Sequence, residues 1–188
     1  GVNSVTGDFK VWGGALPHVR GIDAEQPDHV GYNPALSGLN LNYNRVHFEW
    51  RRNSGNYAVT MQARTKSHRP DVKMAGMQII VRSVPIYTYE DRAGVDNWTV
   101  AKGALGDGGA RWLPVRKPEI YAGEVFQTLL RAQGIKIGAP ILVDDLPKGS
   151  VLASQSSAPL RKVLKDMLKW STNLTAEAVG MTATYKRT

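Results

Sequence analysis

Arg45-Val46-His47-Phe48-Glu49-Trp50-Arg51-Arg52-Asn53-Ser54-Gly55-Asn56-Tyr57-Ala58-Val59-Thr60-Met61-Gln62-Ala63-Arg64 is the stretch that decides the fold class. Val46, Phe48 and Trp50 alternate with Arg45, His47, Glu49 and Arg51. A period of two puts the first set on a core and the second in solvent. Asn53-Ser54-Gly55-Asn56 is a turn cluster, after which Tyr57, Val59, Met61 and Ala63 alternate with Ala58, Thr60, Gln62 and Arg64. Two alternating runs around such a turn predict a β-hairpin. Further strands are predicted at Met77–Arg82, Trp98–Ala101 and Arg111–Val115. Together they predict a small antiparallel sheet or sandwich over roughly residues 40 to 105.

Upstream, Gly7–Trp12 reads as a short strand. A long irregular region rich in Gly, Pro, Asp and His then runs from Gly13 to about Leu39. Segments of that kind are functional or packed across a surface. Downstream the pattern turns helical. Pro118 suits a first helical turn and Gly134 the residue just past the end. Between them Ala122, Val125, Phe126, Leu129 and Leu130 form one apolar stripe. Ile135–Val143 and Ser150–Ser154 read as extended, with Asp144–Gly149 as a turn. A second helix follows Ser157-Ala158-Pro159. Its Leu160, Val163, Leu164, Met167 and Leu168 share one face, and Arg161, Lys162, Lys165 and Lys169 lie off it. Ser171-Thr172-Asn173 separates it from a third helical piece, Leu174 to about Met181. The fold class expected is α+β, mainly antiparallel sheet with a β-rich inserted domain and a few helices.

The 188 residues are 42% hydrophobic, enough for one ordinary domain or two small ones. There is no cysteine. That excludes disulfides, thiolate metal sites, iron–sulfur clusters and a cysteine nucleophile. No stretch approaches the roughly 20 apolar residues of a membrane span. No hydrophobic signal segment opens the chain, which starts at Gly1. The net charge of +8 and a pI near 9.8 favour polyanions. Nucleic acid, anionic cell-wall polymer and a membrane surface all satisfy that preference.

Few residues carry chemistry. His18, His29, His47 and His68 show no paired helical spacing and no His-Glu-x-x-His. His18, Asp23, Asp28 and His29 share one loop and offer a zinc donor set, although solvated loop residues are the simpler reading. Gly103–Gly109 is glycine-rich but lacks a following Lys-Ser and reads as a turn. Arg64, Lys66, His68 and Arg69 cluster in sequence without a nucleic-acid-binding motif, so no nucleic-acid partner is expected. No Gly-x-Ser-x-Gly is present. Between the last helices, Asn173 suits a helix N-cap by its residue type.

The surroundings of that segment change its reading. Val151-Leu152-Ala153-Ser154-Gln155-Ser156-Ser157-Ala158-Pro159-Leu160, a helix ending Met167-Leu168-Lys169-Trp170, and Ser171-Thr172-Asn173-Leu174-Thr175-Ala176-Glu177 resemble the class C penicillin-binding proteins. These are serine D-alanyl-D-alanine carboxypeptidase/endopeptidases. Gly7–Val11, Tyr32–Ser37 through Asn44, and Tyr121–Gly123 through Ile135 are similar to earlier family segments in the same order. The Ser157–Glu177 match is the specific one.

The resemblance implies three motifs. Ser-x-x-Lys supplies the acylating serine and the lysine that activates it. Ser-x-Asn relays a proton through its serine and positions the substrate amide, or the lysine, through its asparagine. Lys-Thr-Gly contacts the substrate carboxylate. By family position Ser171 and Asn173 carry the second motif, with Thr172 where aspartate is frequent. No serine has lysine three residues later, and no Lys-Thr-Gly or Lys-Ser-Gly occurs.

The resemblance therefore implies a fragment or truncated relative, inactive as this chain alone. The parent enzyme would be periplasmic and need no cofactor or metal. Its partners would be peptidoglycan D-alanyl-D-alanine stem peptides and β-lactams. Residues 1–39 with 106–156 are expected to form a split α/β accessory domain, 40–105 a β-rich insertion, and 157–188 the start of an incomplete penicillin-binding domain. The alternative is a stand-alone, non-catalytic module that holds cell wall or protein on a basic surface.

Overall fold

The computed structural model describes residues 2–186. Its strands are β1 (Phe9–Val11), β2 (Arg45–Asn53), β3 (Asn56–Gln62), β4 (Ala75–Ile80), β5 (Tyr87–Arg92), β6 (Val95–Ala101), β7 (Gly108–Pro114) and β8 (Pro140–Leu142). Its helices are α1 (Pro118–Ala132), α2 (Leu160–Trp170) and α3 (Asn173–Tyr185). The architecture is α+β with mostly antiparallel pairing.

The hairpin forms around the expected turn, but His47, expected in solvent, is buried against Trp112. β2 pairs antiparallel with β3, from His47 opposite Gln62 to Asn53 opposite Asn56. Ser54 and Gly55 turn it with φ of 47° and 88°. On its other edge β2 takes β7, so Gly108–Pro114 shares a sheet with residues from the other side of position 105. The second sheet has the order β4-β6-β5. The small antiparallel sheet expected over residues 40 to 105 contains one exception, because β4 and β6 run parallel. The β5–β6 hairpin, turning through Ala93 and Gly94 at positive φ, lays β6 beside β4 in the same direction. β1 and β8 form a separate parallel pair, and no strand forms over Ser150–Ser154.

Val46, Phe48 and Leu113 from the first sheet share one core with Ala75, Trp98 and Val100 from the second. Tyr121 and Val125 of α1 close it. The expected α1 stripe is split: Val125 is buried, while Phe126 and Leu129 are exposed beside Phe9 and Val11. Gly123 permits the contact of α1 with the β1–β8 pair, because a Cβ there would lie 2.6 Å from Pro140 Cβ. Gly134, at φ 80°, stands just past the end of α1, as expected.

A buried polar cluster joins the second sheet to the long irregular segment. Asp96 is fully buried and accepts from Arg116 N–H (2.8 Å), Tyr89 O–H (3.0 Å) and Lys117 Nζ (3.4 Å). The Arg116 guanidinium donates in turn to the carbonyls of Arg20, Asn33 and Asp28 at 2.7–2.8 Å. The loop from Gly13 onward is thereby pinned across the surface, although it has no strands of its own.

Candidate functional site

α2 stops because Ser171 takes left-handed dihedrals, φ 49° and ψ 50°. Its N–H and that of Thr172 both return to the carbonyl of Met167. Thr172, not Asn173, is the N-cap of α3: it is extended, and its carbonyl accepts the first helical bond from Ala176 N–H at 3.1 Å. Asn173 is the first helical residue. Its Nδ2 donates to the carbonyl of Tyr32 at 3.2 Å and ties α3 to the long irregular segment. The capping role expected from its residue type is therefore not what the side chain does. The Ser171 hydroxyl is exposed and has no hydrogen-bond partner among the described residues.

These residues line a cavity of about 210 Å³ with Gly31, Tyr32, Pro34, Tyr43, Arg45 and Trp170. The opposite wall is a strained turn. Asn42, Tyr43 and Asn44 are all left-handed, at φ 52°, 57° and 48°. Each such residue costs about 1 kcal/mol or more, so the turn needs compensation. Fully buried Asn44 supplies it. Its Nδ2 donates to Ala35 O (2.8 Å) and Asn40 Oδ1 (2.6 Å), and its Oδ1 accepts from Leu41 N–H (3.0 Å).

The turn delivers Tyr43 and Arg45 to the cavity. The Arg45 guanidinium carbon lies 5.2 Å from the centre of the Tyr43 ring and 5.4 Å from that of Trp112. Tyr121 O–H donates to the Arg45 carbonyl at 2.8 Å, and burial pushes that phenol up to about 12. Behind Trp112, the His47 ring packs edge-on at 4.9 Å. Burial, and then Arg64, hold His47 below its ordinary pKa, against the opposing pull of Glu49. Arg64 is itself neutralised by Glu49.

The loop residues considered for zinc go separate ways. His18 faces Glu119 at 3.8 Å, and Asp23 accepts from Glu25 N–H in a local turn. Asp28 pairs with Arg20 and Arg116, and His29 stacks on Tyr87. Among the described residues no three His, Asp or Glu side chains converge on a point. Gly103 lies in a short 3-10 turn (Lys102–Ala104), Leu105–Asp107 connect it to β7, and Gly108 and Gly109 are the first residues of that strand. Sequence reasoning missed the wall made by Tyr32, Tyr43 and Arg45. The available signal was the paired asparagines 42 and 44, since asparagine tolerates the left-handed region.

A protein-family model, D-Ala-D-Ala carboxypeptidase 3 (S13) family, matches residues 1–187. The chain belongs to that family. The S13 assignment agrees with the resemblance carried by Ser157–Glu177. Among solved structures the chain is similar to penicillin binding protein 4 from Haemophilus influenzae. That match has a TM-score of 0.66 at 20% identity, over 94% of this chain and 40% of that one. The same protein complexed with a novel β-lactam matches with a TM-score of 0.50 at 20% identity, over 74% of this chain and 33% of that one. The chain thus spans 40% and 33% of the length of these structures, and at such identity the likeness shows a shared fold alone. No curated protein matches the chain. No helix among the described residues is long and apolar enough to cross a membrane.

Proposed function

We propose that this chain is part of a serine D-alanyl-D-alanine carboxypeptidase/endopeptidase and that Ser171 and Asn173 are its Ser-x-Asn residues. The observation that carries this reading is the cavity at the α2–α3 junction, lined by both residues inside a chain of the S13 family. In such an enzyme a serine outside this chain attacks the carbonyl of the D-alanyl bond. The lysine paired with that serine takes its hydroxyl proton, and the Ser171 hydroxyl, lacking any partner among the described residues, relays a proton from the lysine to the leaving amine as the C–N bond breaks. Asn173, anchored through Tyr32, presents its remaining amide capacity to the substrate or to the activating lysine.

The chain has no Ser-x-x-Lys and no Lys-Thr-Gly, so by itself it does not catalyse acyl transfer. Stem peptides of peptidoglycan and β-lactams are the ligands of the complete site, which would act in the periplasm. Residues 157–188 are the returning penicillin-binding part. The split accessory part is 1–39 with 106–156, and the β-rich insertion is 40–105 with β7 added to its sheet. Labelling with a fluorescent penicillin tests the proposal. The 188-residue chain should remain unlabelled. A polypeptide extended to include flanking Ser-x-x-Lys and Lys-Thr-Gly should label, and Ser171→Ala or Asn173→Ala should slow its acylation about 100-fold or more. Labelling of the short chain, or unchanged acylation of both variants, would contradict it.

A further inference from the structure

The connection between β4 and β5 presents apolar side chains to solvent. Val81 and Val84 are 86% and 76% exposed, and Ile80 and Ile86 on either side are exposed as well. Four β-branched residues so close in sequence form a patch of the kind that marks an interaction surface. The loop holds its shape without a partner. Arg82 Nε donates to the carbonyl of Pro85 at 2.6 Å, and its Nη2 donates to that of Ile86 at 3.4 Å. Ala101 N–H donates to the same Ile86 carbonyl at 2.8 Å. Pro85 has no N–H to leave unpaired. These backbone groups are satisfied within the protein, which lowers the cost of moving the loop out of water.

The charge around the patch has one sign. No Asp or Glu occurs from Ile80 to Tyr89. Arg82 lies within the loop, and exposed Lys102 follows Ala101, the residue opposite Ile80 in the β4–β6 register. The Arg111 guanidinium carbon stands 4.9 Å from the centre of the Tyr87 ring. Glu90 and Asp91 come later on β5 and are paired with Arg92 and Lys117. The whole chain carries a net charge of +8. We propose that this loop is a docking site for an anionic lipid surface, with Val81 and Val84 entering the bilayer interface while Arg82 and Lys102 meet the headgroups. A short apolar loop alone binds lipid weakly and reversibly, and nearby cations add the second attraction. A protein partner needs only the apolar patch, whereas the acid-free cationic rim matches a negative bilayer surface. The loop supplies no residue to the Ser171–Asn173 cavity, so this inference stands apart from the proposed reaction.

The chain has no cysteine, so Ser83→Cys takes a single environment-sensitive fluorophore at the exposed loop. Glu90→Cys, further along β5, is the control position. The probes are vesicles of phosphatidylcholine with an equal part of phosphatidylglycerol, and vesicles of phosphatidylcholine alone. The 188-residue chain should sediment with the mixed vesicles, about tenfold more weakly with phosphatidylcholine alone, and less as salt rises. The label at position 83 should brighten and shift to the blue, and the label at position 90 should not. Val81→Ser combined with Val84→Ser should weaken binding about tenfold without lowering Tm, since both side chains already face solvent. Lys102→Gln should weaken binding to the mixed vesicles and leave the phosphatidylcholine result unchanged. No binding to mixed vesicles at low salt, equal affinity for both vesicles, or undiminished binding by the double-serine chain would overturn the proposal. So would bound protein with an unchanged label at position 83, the result expected if α2, with Leu168 and Trp170 exposed beside Lys169, meets the lipid instead. A label shift that needs no vesicle and grows with protein concentration would assign the patch to a second copy of the chain and overturn it as well.

Discussion

Replacing Asn44 with alanine tests whether the left-handed turn is held by one side chain. The substitution removes three hydrogen bonds, to Ala35 O, Asn40 Oδ1 and Leu41 N–H. Each contributes about 1 kcal/mol net, and the partners left behind are shielded from water. Alanine at φ 48° adds about 1 kcal/mol of steric cost. The sum is about 4 kcal/mol, and a domain of this size loses about 2–4 °C of Tm per kcal/mol. Thermal and urea denaturation followed by circular dichroism should therefore show a fall in Tm on the order of 10 °C. Asn44→Gly separates the two contributions. Glycine tolerates positive φ, so that variant should be less destabilised than Asn44→Ala by about 1 kcal/mol. A loss below about 1 kcal/mol in Asn44→Ala would refute the reasoning, and so would an Asn44→Gly variant less stable than Asn44→Ala.

Two further outcomes follow from the same packing. Burial, the largest influence on Asp96, raises its pKa even though Arg116 N–H, Lys117 and Tyr89 all favour the charged form. The folded protein therefore keeps a proton that the unfolded chain has released, and this group's contribution to stability falls as pH rises from about 4 through the raised pKa. Asp96→Asn removes that titration. Wild type should lose stability relative to the variant across that window in urea titrations, and a constant difference or the opposite slope would contradict the expectation. Gly123→Ala sets helix propensity against packing. Alanine gains up to about 1 kcal/mol in a helix interior, but its Cβ would meet Pro140 Cβ at 2.6 Å and Val11 Cγ1 at 2.8 Å. Overpacking of about 1–3 kcal/mol should win, and a raised Tm would show that β1 and β8 yield easily.

Regular, local patterns were legible in the sequence. The β2–β3 hairpin rests on strict alternation around Asn53–Asn56, and α2 rests on a stripe from Leu160 to Leu168. β5 was not legible, because Glu90, Asp91 and Arg92 are exposed polar residues and its turn uses Ala93-Gly94 in place of an Asn-Gly pair. The parallel β4–β6 pairing depends on how β5 doubles back, which no local pattern encodes. At the candidate site, Ser171 and Asn173 stood out only through resemblance, since Ser-x-Asn alone reads as a helix cap. Arg45 was hidden for a different reason. Alternation assigned it to solvent, whereas Trp112, distant in sequence, and the three consecutive left-handed residues enclose it beside the cavity.

Sequencing the coding DNA on both sides of this segment tests the central claim most directly. The expected result is one continuous reading frame, with Ser-x-x-Lys encoded before Gly1 and Lys-Thr-Gly after Thr188. Ser171 and Asn173 then complete a three-motif acyl-transfer site. A frame that supplies neither motif would contradict the claim and leave Ser171-Thr172-Asn173 as the junction of two helices.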